Sequence, residues 1–328
     1  MTAEPTSSSP PLRGCGTALV TPFDASGAVD EAALRALVQW QLDEGVAFLV
    51  PCGSTGEAQT LDAAEHRRVV ELVVEVVAGR CPVVAGAGGS DTRRAIALSR
   101  EMQAAGATHL LHASPAYNKP PQRGIEAHFR AIADAVELPI VLYNVPGRTA
   151  SNMEARTTLR LATHPRIVAV KEASGNLAQV DEILRERPPG FAVLSGEDAL
   201  TLPMMAMGGD GVISVTSNAT PRLVAALCAR CAAGDLVGAR ATQARLAAWT
   251  HAAFVESNPL PVKAALARLG RVANVLRLPL VPLLEAHLPL VEAALGEAGA
   301  LDQGRDGAGD PTTPGAADVH AVVAGASA

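Results

Sequence analysis

Aromatic side chains are scarce in this chain of 328 residues. Five Phe, two Trp and two Tyr make up 3% of the sequence, although 48% of its residues are hydrophobic. Aliphatic side chains must therefore form most of the core. Lysine is also scarce, because only Lys119, Lys171 and Lys263 occur among the 27 basic residues. With so few Tyr and Lys, each position that holds one deserves a chemical explanation.

Other absences exclude whole classes of protein. No stretch approaches the roughly 18 consecutive apolar residues of a membrane-spanning helix, and the first residues do not form a secretory signal. The net charge of −6 and the lack of basic blocks interleaved with aromatics argue against a nucleic-acid surface. An odd number of cysteines, five, does not favour a disulfide framework. We expect a cytoplasmic protein that acts on small molecules, without nucleic-acid or membrane partners.

The sequence between its two ends alternates short apolar segments with longer amphipathic segments. This pattern predicts βα units around a parallel sheet. The eight predicted strands begin at Gly16, Ala47, Pro82, Thr108, Pro139, Ile167, Phe191 and Gly211. Eight repeats favour a (β/α)8 TIM barrel, in the α/β class, over an open doubly wound sheet.

This interpretation divides the chain into four segments. The catalytic barrel is predicted over residues 14–234, and the helical patterns of residues 235–299 predict a C-terminal helical subdomain. Residues 1–13 and 300–328 are rich in Ser, Pro, Gly and Ala and lack periodicity, so that we expect both to be disordered tails.

The rare residues fall where barrel strands end. In a TIM barrel the active site forms at the carboxyl ends of the strands. Strand two is followed by the loop Gly53–Glu57, strand four by Tyr117, and strand five ends at Tyr143 with Arg148 shortly after it. Lys171 ends strand six. Three rare side chains on one face of the barrel indicate a reactive site there.

Lys171 follows the apolar run Ile-Val-Ala-Val, so we expect its amine to point into the mouth of the barrel. Burial lowers the pKa of a lysine, and the free amine attacks carbonyl groups to form a Schiff base. This chemistry needs neither a metal nor another cofactor. The alternative is a structural lysine that forms a salt bridge with Glu172 or another carboxylate.

Schiff-base formation also needs groups that move protons and hold carboxylates. The phenols of Tyr143 and Tyr117 and the hydroxyls of Ser54 and Thr55 are candidates for a proton relay. Arg148 is a candidate to bind a carboxylate in bidentate fashion. Taken singly, each phenol or hydroxyl is equally compatible with an ordinary structural role, and Arg148 alone would more often be a surface charge.

Several other features are given no functional weight. The Gly-rich segment 86–89 lacks the spacing of a dinucleotide-binding fingerprint. Cys228 and Cys231 form a lone Cys-x-x-Cys, which we interpret as packing residues rather than metal ligands. Lys119 and Lys263 are both expected to be solvated.

Seven segments together resemble the pyruvate-dependent class I aldolases and lyases, and within them the dihydrodipicolinate synthase family. The resemblance runs from about Gly16 to Ala298. The matching segments are GTALVTPF, CGSTGEAQTL, SPAYNKP, LYNVPGRT, VAVKEASGN, LSGEDALTLPMMAMGGDGVISVTSN and ESNPLPVK. Several motifs in the same order make the match specific.

The resemblance implies a role for each candidate residue. Lys171 would form the Schiff base with pyruvate and Tyr143 would donate and accept protons. Ser54 and Tyr117 would complete the relay, with Tyr117 reaching the site of a neighbouring subunit in a homotetramer.

The same resemblance implies how the substrates bind. Thr55 and the backbone at Ile213 would hold pyruvate, and Arg148 would bind the carboxylate of aspartate semialdehyde. The segment Asn144–Thr149 favours this reaction over lyases for sialic or keto-deoxy sugar acids, which stay open as the alternative. A barrel that binds a keto acid without turning it over is a third possibility.

The chain departs from the family at a few positions. Ser54 stands where the family has Thr, which retains the hydroxyl but loses the β-branch that restricts its rotamer. A His and a Glu used by lysine-inhibited members are replaced by Ala63 and Arg94, and His66 is the remaining match. We therefore expect weak or absent feedback inhibition by lysine.

Overall fold

A computed structural model describes residues 12–301, which form a closed parallel barrel of eight strands. The strands are β1 Gly14–Ala18, β2 Phe48–Val50, β3 Val84–Gly86, β4 His109–Ala113, β5 Ile140–Asn144, β6 Ile167–Glu172, β7 Ala192–Ser195 and β8 Gly211–Ser214. Hydrogen-bonded neighbours run β2-β1-β8-β7-β6-β5-β4-β3, and a parallel bridge between Leu49 and Val83 joins the two ends. The predicted barrel is confirmed, although β1 begins two residues earlier than expected.

Each strand carries apolar side chains on both faces, because one face packs against the barrel helices and the other fills the barrel interior. Along β5, Leu142 belongs to the large hydrophobic cluster that includes the barrel helices, whereas Val141 and Tyr143 belong to a smaller cluster built almost entirely from strand residues. Successive strand side chains point to opposite faces. The smaller cluster therefore fills the inside of the barrel, and Tyr143 points inward.

Helices cover the outside of the barrel. They are α1 Glu31–Asp43, α2 Ala63–Val77, α3 Thr92–Ala104, α4 Gln122–Ala135, α5 Pro146–Thr149, α6 Ala155–Ala162, α7 Leu177–Glu186, α8 Thr201–Ala206 and α9 Pro221–Ala232. Asp30, Asp62, Asp91 and Asn176 cap α1, α2, α3 and α7 with their side chains, as their positions predict. The helical pattern does not predict α5, because four residues are too few to show a period.

Three further helices follow the barrel: α10 Leu236–Ala252, α11 Leu260–Arg268 and α12 Leu288–Glu297. Trp249 of α10 is fully buried, and its indole N–H donates to the Thr216 carbonyl oxygen at 3.1 Å. Cys228 is buried in the core, in agreement with a packing role. The division of the chain at residue 235 stays a prediction, and most of the two predicted tails lies outside the described residues.

No helix within residues 12–301 is both long enough and apolar enough to span a membrane.

Candidate active site

Tyr143 and Lys171 lie side by side at the carboxyl ends of neighbouring strands. They are paired in the register of β5 and β6, and the Lys171 Nζ lies 4.3 Å from the centre of the Tyr143 ring. Glu172, one residue later, points to the opposite face, where it accepts hydrogen bonds from Asn144 Nδ2 and Gln179 Nε2. The alternative of a Lys171–Glu172 salt bridge is therefore wrong, and within residues 12–301 the Lys171 amine forms no ion pair.

The surroundings adjust the pKa of both side chains. The pKa of Lys171 is lowered to about 8: burial lowers it most, the carboxylate of Asp198 opposes this shift, and the nearby charge of Arg148 adds to it. The pKa of Tyr143 is raised to about 12. Burial is the main cause, the charge of Arg148 acts to lower this pKa, and the carboxylate of Glu197 acts to raise it. At neutral pH the site thus offers a readily deprotonated amine beside a protonated phenol.

Asp198 is a buried carboxylate near Lys171 that the sequence reasoning did not single out. It begins the short 3-10 helix Asp198–Leu200 after β7 and accepts hydrogen bonds from the hydroxyls of Ser214 and Thr216, the latter at 2.6 Å. The backbone N–H of Val215 donates to it at 3.0 Å. An acidic residue just beyond a barrel strand is the signal that would have drawn attention to it.

The loop Gly53–Glu57 presents its two hydroxyls differently. Thr55 is buried, and its Oγ1 accepts a hydrogen bond from Asn258 Nδ2 at 2.9 Å. Ser54 is exposed. Thr21, three residues beyond the end of β1, holds the loop through its hydroxyl, which donates to the Gly56 carbonyl oxygen at 2.7 Å.

Arg148 and Ile213 lie on other elements around the same opening. Arg148 is an exposed residue of α5, and its Nη2 donates to the Asn258 carbonyl oxygen at 3.3 Å. Ile213 is fully buried inside the barrel on β8, opposite Gly16 of β1.

Tyr117 does not join the others within one chain. Its side chain is 96% exposed, and its backbone adopts a left-handed conformation with φ of 71°. Among the described residues of a single chain, no hydrogen bond links Tyr143 to Tyr117 or Ser54. The structure thus brings Lys171 and Tyr143 into contact and leaves the predicted relay incomplete.

One prediction about the lysines is wrong. Lys119 is exposed as expected, but Lys263 is fully buried and forms an ion pair with Glu57 at 2.5 Å. Its partner is 206 residues away in the sequence, so no local pattern indicates the contact. His66 is also buried, and its Nε2 lies 2.8 Å from the Gly86 carbonyl oxygen.

Within the described part of the chain, no group of three or more His, Cys, Asp or Glu side chains is arranged to hold a metal ion.

Comparisons with known proteins show the family to which this chain belongs. The model of the dihydrodipicolinate synthetase family matches residues 11–298. A 4-hydroxy-tetrahydrodipicolinate synthase of Koribacter versatilis is 50% identical over 291 residues, which are 88% of this chain and 97% of that protein.

Solved structures match over the same share of this chain. Dihydrodipicolinate synthase from Thermotoga maritima superposes with a TM-score of 0.87 at 40% identity, covering 88% of this chain and 99% of that one. The synthase from Acinetobacter baumannii in complex with pyruvate gives a TM-score of 0.86 at 40% identity, with the same coverage.

Proposed function

Because this chain belongs to the dihydrodipicolinate synthetase family, we propose that it is a lyase, a 4-hydroxy-tetrahydrodipicolinate synthase. It condenses pyruvate with L-aspartate 4-semialdehyde in diaminopimelate and lysine biosynthesis. The observation that carries the proposal is the buried Lys171 amine, with its lowered pKa, in contact with the Tyr143 ring.

Pyruvate reacts first, with Lys171. The amine adds to the ketone carbon, Tyr143 gives its proton to the oxygen, takes one from the nitrogen, and returns it to the hydroxyl, which leaves as water. The product is a protonated imine. The Tyr143 phenolate then removes a proton from the pyruvyl methyl group, which leaves a neutral enamine and restores the phenol.

The enamine carbon then attacks the aldehyde carbon of aspartate semialdehyde, and the aldehyde oxygen takes the Tyr143 proton. Arg148 binds the carboxylate of this second substrate, which brings the aldehyde to the enamine. The substrate's own amine attacks the imine carbon and closes the ring, and the Tyr143 phenolate carries one proton of that amine to the Lys171 nitrogen. The bond to Lys171 then breaks, and the phenolate takes the second proton from the ring nitrogen, which leaves a neutral cyclic imine and restores the phenol. Lys171 leaves as the free amine, so that the protein needs no cofactor.

The remaining assignments belong to the same proposal. Thr55 and the backbone at Ile213 hold pyruvate, and Ser54 passes protons between Tyr143 and solvent. The exposed Tyr117 completes the relay in a neighbouring subunit of a homotetramer, which accounts for an aromatic side chain left in solvent by a single chain. We place the enzyme in the cytoplasm.

Borohydride reduction tests the covalent step. In the presence of pyruvate, reduction should add one pyruvyl group to the chain, and peptide mapping should locate it at Lys171. The Lys119→Arg variant, which changes an exposed lysine, should be labelled like the wild type, whereas Lys171→Arg should not be labelled. Absence of an adduct at Lys171 would overturn the proposal.

A rate comparison separates the synthase from the related lyases. Pyruvate and aspartate semialdehyde should be condensed, whereas sialic acid and keto-deoxy sugar acids should not be cleaved at a comparable rate. Faster cleavage of a sugar acid would assign the chain to the alternative activity.

A further inference from the structure

The segment Asn258–Lys263 of the C-terminal helical region contacts both proposed substrate-binding groups. The Asn258 side-chain amide donates to Thr55 Oγ1 at 2.9 Å, and its backbone carbonyl oxygen accepts from Arg148 Nη2 at 3.3 Å. One residue therefore connects the group assigned to pyruvate with the group assigned to the second substrate.

The direction of the first hydrogen bond determines what Thr55 can donate. Because Thr55 Oγ1 accepts from Asn258, the hydroxyl proton of Thr55 remains available for a carboxylate. Asn258 is itself only 7% exposed, and its Oδ1 has no hydrogen-bond partner among residues 12–301. Among the described residues, the hydrogen bond that the Asn258 side-chain amide forms is the one its Nδ2 donates to Thr55.

A buried ion pair fixes the same two segments to each other. Lys263 Nζ contacts Glu57 Oε1 at 2.5 Å, and neither side chain is exposed. Lys263 also donates to the Val275 carbonyl oxygen at 2.7 Å, and Glu57 Oε2 accepts from the Arg277 backbone N–H at 3.1 Å. Glu57 follows Thr55 by two residues, so this pair anchors the Gly53–Glu57 loop to the C-terminal region.

We propose that Asn258 and the Glu57–Lys263 ion pair are positioning residues for both substrates, with Asn258 orienting the Thr55 hydroxyl and the ion pair holding the Gly53–Glu57 loop and Asn258 in register. The proposal rests on the function assigned above. It makes the C-terminal helical region part of the active-site structure of the same chain.

Substitution of Asn258 tests the first half of the proposal. Asn258→Ala removes the donor to Thr55 but keeps the carbonyl that binds Arg148, so the pyruvate KM should rise about 3- to 10-fold while the KM for aspartate semialdehyde stays within about twofold. Asn258→Asp should raise the pyruvate KM further, because its carboxylate accepts a hydrogen bond from the Thr55 hydroxyl, which turns that donor away from pyruvate, and repels the pyruvate carboxylate.

Substitution of the ion pair tests the second half. Removing one charge leaves the other buried without a partner, which endangers folding, whereas replacing both charges is usually tolerated. The double variant Glu57→Gln with Lys263→Met should therefore fold, and the KM values of both substrates should rise by about 3-fold or more. Arg268→Met is the matched control, because it removes a half-exposed ion pair with Glu292 from the same helix.

Thermal unfolding and borohydride trapping distinguish positioning from folding. A purely structural role would lower the melting temperature and the fraction of labelled sites while both KM values stayed unchanged. Unchanged KM values in both Asn258 variants, or an equal effect of Arg268→Met, would overturn the proposal. If the wild-type chain forms no adduct at all, the assigned function fails, and this inference fails with it.

Discussion

Burial is the main cause of the lowered pKa of Lys171, the lysine at the carboxyl end of a barrel strand. Lys171 is 5% exposed and contacts the ring of Tyr143 rather than a carboxylate, so burial acts on its amine without an ion pair to compensate. Lys263, also buried, has Glu57 as its partner. The same residue type is thus the proposed nucleophile in one place and forms a buried ion pair in the other.

The pH dependence of pyruvate trapping should report the Lys171 amine. With a pKa of about 8, the free-amine fraction rises from roughly one-tenth near pH 7 to roughly nine-tenths near pH 9. The trapping rate at limiting pyruvate should therefore increase about tenfold over this range and then level off. A rate that keeps climbing tenfold per pH unit above about pH 9 would indicate an unperturbed lysine.

We expect weak or absent feedback inhibition by lysine because of two exposed positions. Ala63 begins α2 and Arg94 lies near the start of α3, at the positions where the lysine-inhibited members of the family that the chain resembles have His and Glu. A lysine ammonium group would meet the Arg94 guanidinium, which repels it, in place of a carboxylate. Initial rates should therefore be nearly unchanged by millimolar lysine, and half-inhibition at sub-millimolar lysine would contradict this expectation.

At the scale of the elements, the seam between β2 and β3 depends on a glycine. The Gly86 backbone N–H donates to the Pro51 carbonyl oxygen at 3.0 Å, and a Cβ at position 86 would overlap the carbonyl oxygen of Cys52. Only a residue without a side chain allows the two backbones to approach so closely. This contact also lies directly before the Gly53–Glu57 loop.

Gly86→Ala should therefore destabilise the protein. The backbone must shift to relieve the overlap, and we expect a loss of about 1–3 kcal/mol in the free energy of unfolding. Gly89→Ala is the matched control, because its added Cβ would lie 4.0 Å from the Ala95 Cβ, an ordinary contact. Denaturant or thermal unfolding of both variants measures the difference, and equal stability of the two would contradict the explanation.

Two rules explain why the elements were predictable. Strands covered on both faces appear as short apolar runs, and capped helices begin at Asp or Asn. The ends of β5 and β6 then place Tyr143 and Lys171 together, because paired parallel strands end at the same edge. The four-residue α5 has no such signal, and the sequence does not predict it.

At the scale of the whole molecule, Tyr117 tests whether the active site is shared between subunits. Its 96% exposed ring lies apart from Tyr143 in one chain. Tyr117→Ala and Lys171→Ala should each be nearly inactive alone. When the two variants are refolded together, we expect up to about a quarter of wild-type activity to return. Half of randomly formed dimers contain one chain of each variant, and one of the two sites in each such dimer is complete.

Sedimentation of the same mixture provides the control. Each variant should assemble like the wild type, so that loss of activity does not reflect loss of the oligomer. If the mixture stays inactive although mixed oligomers form, Tyr117 does not act across an interface.

The sequence by itself determined the barrel, the order of its strands along the chain, and the edge at which Lys171, Tyr143 and Arg148 emerge. These features depend on local periodicity and on residue type at strand ends. Only the tertiary structure decided that Lys263 is buried against Glu57, that Asn258 contacts Thr55, and that Glu172 turns away from Lys171. Lys263 and Glu57 are separated by 206 positions in the sequence, and Asn258 and Thr55 by 203. Such pairings arise from packing, which leaves no periodic pattern in the sequence.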